Sequence, residues 1–185
     1  LAVVLPPMVV AISFGEFVFA ASLAPQCALL AVVSVMHRSR AFPDDLRRIE
    51  AFVVFALIFV IASLFIMPAF WVLGMGAVDA LFEAVSGITS TGLSVAATPE
   101  SWPVVGHLMR GWIQWCGGFA IAFAGLALFA GSSGASLSMS STNIAQRDNL
   151  SSAKVQARGL LKAYSALTLL AVLSCLLVLP NWWEA

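Results

Sequence analysis

Charge is scarce in this sequence. Only 10% of its 185 residues are Asp, Glu, Lys or Arg, against roughly 25% in a soluble domain. With 61% hydrophobic residues and a mean hydropathy of +0.99, most of the chain must be solvated by lipid. Net charge is absent too: nine basic residues balance nine acidic ones, which gives nucleic acid nothing to hold. Cysteine and histidine are few. Cys27, Cys116 and Cys175 lie singly inside apolar stretches, an odd number with neither CxxC nor metal-ligand spacing, so they read as small buried hydrophobes and exclude a disulfide framework. His37 and His107 are too far apart for a metal site or a Ser/His/Asp triad, and no nucleophile stands beside a base. No enzyme activity and no resident cofactor are expected.

Long hydrophobic runs are what the chain does have. They occupy residues 1–14, 17–36, 51–73, 102–130 and 160–179, with a more polar stretch at 79–95. A membrane-crossing helix needs about 20 mostly apolar residues, so the expected architecture is an all-α polytopic membrane protein. The chain opens without Met inside an apolar run and stops soon after another, so both ends read as cut. Between the second and third runs lie Arg38, Arg40, Arg47 and Arg48; Arg147, Lys154, Arg158 and Lys162 lie in or just after the Ser/Gly/Asn-rich stretch 131–156. Basic residues near span ends mark the cytoplasmic side, and these two regions hold eight of the nine. Returning to the same side takes an even number of crossings, so one of the three intervening segments cannot cross. Residues 79–95 are the candidate: short, carrying Asp79 and Glu83, and ending in Ser, Thr and Gly. Trp102, Trp112, Trp115, Trp182 and Trp183 fall near outer span ends, as interfacial aromatic belts do.

That segment has two halves. Leu81, Phe82 and Val85 recur at helical spacing, so a short helix would point its C-terminal end, with about half a negative charge from its peptide dipoles, at the membrane centre. Thr89-Ser90-Thr91-Gly92 follows. Irregular backbone survives at membrane depth only where protein buries it or it lines a water-filled cavity, and carbonyls there can replace the hydration shell of a monovalent cation. The plainer alternative is that Gly87 and Gly92 break a hydrophobic hairpin whose hydroxyls satisfy their own backbone. Arg110, the remaining basic residue, either tunes cation occupancy, pairs with Asp79, Glu83 or Glu100, or anchors the helix at the interface. Gly117, Gly118 and Gly125 let helices approach closely.

Four passages resemble the Trk/Ktr/HKT superfamily of potassium transporters, most closely its TrkH-like subunits. They are Arg47-Arg48-Ile49-Glu50-Ala51-Phe52, Asp79-Ala80-Leu81-Phe82-Glu83-Ala84-Val85-Ser86-Gly87, Thr89-Ser90-Thr91-Gly92-Leu93, and Arg110-Gly111-Trp112-Ile113-Gln114-Trp115-Cys116-Gly117-Gly118. The last two are the specific ones. The resemblance implies a helix–pore loop–helix fold in which four repeats surround one ion path. It divides the chain into two preliminary helices (1–36), a cytoplasmic basic loop (37–50), a first unit (51–130, pore loop 79–95), a second cytoplasmic loop (131–159) and the first helix of a second unit (160–185). It assigns the K⁺ selectivity filter to the backbone of Thr89, Ser90, Thr91 and Gly92, with Arg110 as a filter-proximal charge. It further implies an inner-membrane, multi-pass protein, a homodimer, the remaining pore repeats, and a cytosolic nucleotide-binding regulatory subunit. Two departures stand out: Ser90 where many relatives have a third threonine, and Phe119-Ala120-Ile121 where a further glycine is usual. The competing reading is a non-transporting membrane scaffold or a degenerate relative.

Overall fold

The computed structural model describes residues 3–38, 48–133 and 145–178. Most of the basic loop around Arg40 and Arg47, part of the second loop and the terminal Trp182 and Trp183 lie outside the described residues. Among the described residues six α-helices follow in chain order: α1 Leu5–Ser13, α2 Phe17–Met36, α3 Arg48–Val72, α4 Ala77–Ile88, α5 Val104–Ser133 and α6 Ala145–Val178. A short 3₁₀ turn, Pro99–Ser101, precedes α5. The protein is an all-α membrane protein. Among the described residues, Phe17–Met36, Ile49–Val72 and Val155–Leu177 are long and apolar enough to cross a bilayer. With nine residues, α1 is too short. The 30-residue α5 carries His107, Arg110 and Gln114 in its first half.

The chain divides into two compact units, Leu1–Ala120 and Ile121–Ala185. The second holds α6, which begins at Ala145, well before the apolar run at residue 160. Hydropathy locates lipid-compatible surface, whereas Gln, Arg and Lys are good helix formers without being apolar. From Val155 to Leu177 none of α6 is buried inside the chain.

The first unit contains the core. Phe19 and Leu23 of α2, Ile66, Ala69 and Phe70 of α3, and Val105, Met109 and Ile113 of α5 are all buried in one cluster with Ala80, Ala84 and Ile88 of α4. The three from α5 fall at i, i+4 and i+8, a single helical stripe. In α4 the buried positions are Ala80, Glu83, Ala84, Ser86, Gly87 and Ile88. Apart from Glu83 and Ile88 these are small, which lets α4 lie close against its neighbours. Phe70 packs against Trp102 with ring centroids 5.9 Å apart, fixing the entrance to α5 over the end of α3. Positive φ at Gly15 (77°) and Gly74 (90°) turns the chain sharply after α1 and α3, in the left-handed region where a side chain is strained.

Candidate functional site: a helix end and its return segment

At 12 residues, α4 is about 18 Å long, and beyond it the backbone doubles back along it. Ser86 Oγ donates to the Leu93 carbonyl at 2.6 Å, while Glu83 Oε1 accepts from Ser94 Oγ at 2.5 Å and from the Val95 amide at 2.8 Å. The bonding residues move backward along the helix as they move forward along the chain, so the return segment runs antiparallel to α4.

The reversal is a Schellman cap. The amide of Ser90 donates to Gly87 O and that of Thr91 to Ser86 O, both at 2.9 Å. The left-handed position of this motif, usually glycine, is occupied by Ser90 with φ 58°. For an L-residue that conformation costs about 1 kcal/mol. Ser90 Oγ donates to the backbone carbonyl of Gln114 in α5 at 3.2 Å. Gly92 also has positive φ, at 78°, and a Cβ there would lie 3.1 Å from Gln114 Nε2.

The hydroxyls of this stretch are engaged internally. Thr89 Oγ1 donates to Val85 O at 2.7 Å and lies 2.8 Å from Thr91 Oγ1. The carbonyls divide differently. Those of Val85, Ser86 and Gly87 accept backbone amides, and those of Gly92 and Leu93 accept Arg110 Nη2 at 3.3 and 3.4 Å. Among the described residues no donor meets the carbonyls of Thr89, Ser90 or Thr91. Three successive backbone acceptors are therefore left open at the negative end of a helix dipole.

Of the three carboxylates that could meet Arg110, it is Glu83 that does: Nε lies 3.3 Å from Oε2, with the Glu83 side chain fully buried and that of Arg110 27% exposed. Oε2 has no aligned hydrogen bond, so charge attraction is what compensates it. Asp79 lies at the exposed N-terminal turn of α4 and Glu100 in the 3₁₀ turn. The Glu83–Arg110 pair grips residues 92–95 from both sides, one partner accepting amide and hydroxyl protons and the other donating to carbonyls. Ser86, Ser94 and Gln114 were not singled out from sequence. A usable signal existed for Ser94: Ala80, Glu83, Ala84 and Gly87 share one helix face, and a carboxylate on such an apolar face requires partners nearby.

Among the described glycines Gly117 marks the closest backbone approach. A methyl group there would overlap the carbonyl of Ile88. One at Gly87 would meet only the side chain of Ile113, while Gly125 has open space around it.

The TrkH family of cation transport proteins matches residues 68–181, a range that holds α4, its return segment, α5 and all of α6. The chain belongs to the TrkH family. The Trk system potassium uptake protein TrkH of Halomonas elongata is 24% identical over 188 residues, an alignment covering 97% of this chain and 39% of that protein. The chain thus spans about two-fifths of the length of the curated relative it matches. No solved structure matches it at a significant level. Within TrkH proteins, matched here from the end of α3 onward, the helix, its reversal and α5 form one continuous stretch of family resemblance.

Proposed function

We propose that this TrkH chain takes part in potassium transport across a cell membrane, with α4 and its return segment forming one pore loop and the carbonyls of residues 89–92 contributing one wall of the ion path. The observation that carries the reading is the run of unpaired carbonyls at Thr89, Ser90 and Thr91. A potassium ion sheds water only where oxygens replace it, and backbone carbonyls on a fixed scaffold do so without carrying a full charge. Because the hydroxyls of Thr89, Ser90 and Thr91 are already engaged with protein groups, carbonyls rather than side chains are the ligands. Gly92 O is shared with Arg110, so Thr89, Ser90 and Thr91 are the readier ligands and the guanidinium limits how much positive charge gathers beside them. Permeation is channel-like, and the path closes only when further pore loops surround it. Its setting is the inner membrane, with a homodimeric assembly and a nucleotide-binding regulatory subunit as its expected company.

The test is rescue of a potassium-uptake-deficient host by the complete gene product and by its Gly92→Asp form. The parent should restore growth at low potassium. Gly92→Asp should not, because it places a side chain at a left-handed position beside Gln114 and a carboxylate among the carbonyls. A parent that reaches the membrane without rescuing, or a Gly92→Asp form that rescues equally, refutes the reading.

A further inference from the structure

Among the described residues Ser90 alone combines a side chain with positive φ, whereas Gly15, Gly74 and Gly92 are the other residues in that region. Glycine at the same cap would be free of the steric cost. What serine supplies instead is a hydroxyl, and its Oγ reaches Gln114 O across to α5 at 3.2 Å. The two dihedrals of Ser90 set the planes of the peptides on either side of it, and hence the directions of the Thr89 and Ser90 carbonyls. Gln114 also borders Gly92, through its side-chain amide. One residue of α5 therefore borders both Ser90, in the middle of the open carbonyl row, and Gly92, just after it.

We propose that Ser90 is a positioning residue: its hydroxyl bond to Gln114 locks the left-handed cap against α5 and so fixes the spacing of the carbonyls that would bind the permeating cation. The inference rests on the functional reading above. It predicts that the φ requirement and the tether are separable. Glycine meets the first without the second, asparagine tolerates the left-handed region and carries an N–H able to donate, and alanine meets neither.

Rubidium uptake would be measured for the complete gene product in the uptake-deficient host, with KM, maximal rate and inhibition by sodium read separately. Ser90→Gly should raise KM about fivefold, the factor that one hydrogen bond of ordinary net strength supplies, and weaken discrimination against sodium, at undiminished membrane expression. Ser90→Asn should recover most of that loss, and Ser90→Ala should lower the amount of folded protein as well. If Ser90→Gly keeps the parental KM and sodium discrimination, or Ser90→Asn does no better than Ser90→Gly, the positioning role is overturned. Gly92→Asp in the same assay keeps the two proposals apart: parental uptake that this substitution abolishes, together with an unchanged Ser90→Gly, sinks the tether and leaves the carbonyl row standing.

Discussion

Arg110→Gln should destabilise the protein by about 3 kcal/mol, the lower end of the range for removing one partner of a buried ion pair. The lower end applies because Arg110 keeps 27% exposure and part of its charge is already screened. What remains is the expensive half, a Glu83 carboxylate with no exposed surface, and residues 92 and 93 also lose the donor to their carbonyls. The reverse substitution is milder. In Glu83→Gln the amide oxygen still accepts from Ser94 and Val95, and the guanidinium left behind is partly solvated and still bonded to two carbonyls, so a loss of about 1 kcal/mol is expected. The double variant should cost less than the sum of the two, by about 1 kcal/mol or more, since the groups act on one another. Denaturant titration of the purified protein in detergent measures all three. Equal single effects, or strict additivity, would show that the pair is only an interfacial contact.

That asymmetry was half visible in the sequence. Reading charge against hydropathy located α2, α3 and the apolar part of α6, because a bilayer imposes a length and a polarity on whatever crosses it. The short helix before Thr89 was legible from the spacing of Leu81, Phe82 and Val85. Sequence left Arg110 with three acidic candidates, since choosing among them requires knowing that the return segment folds back along α4 and brings residues 92–95 beside both Glu83 and Arg110. The early start of α6 was hidden for a different reason: polar helix formers do not register as a membrane span. Ser90 shows most plainly where residue type stops being informative. Exchanging serine for threonine looks mild when only carbonyl chemistry is considered. A left-handed cap makes it consequential, because a β-branched side chain at positive φ is a true outlier whereas serine is tolerated at modest cost.

The pair Gly117→Ala and Gly111→Ala should part in opposite directions on the same helix. Both lie in α5, where alanine is favoured over glycine by about 1 kcal/mol, and around Gly111 nothing lies within 4 Å of an added Cβ. Gly111→Ala should therefore be neutral or slightly stabilising. At Gly117 the same methyl meets the carbonyl of Ile88, a backbone group at the end of α4 that cannot turn aside as a side chain would. Either α5 or the end of α4 must move, and overpacking of this kind costs about 1–3 kcal/mol or more, enough to outweigh the propensity gain. The effect reaches function as well as stability. Ile88 immediately precedes Thr89, and the cap beyond it is tied to Gln114, one turn before Gly117 on α5, so the carbonyl row would be displaced with its support. The expected outcome is a lower thermal midpoint together with reduced rubidium uptake per folded molecule for Gly117→Ala, and neither for Gly111→Ala. Parental uptake and stability in Gly117→Ala would mean that the contact between Gly117 and the Ile88 carbonyl does not support the carbonyl row.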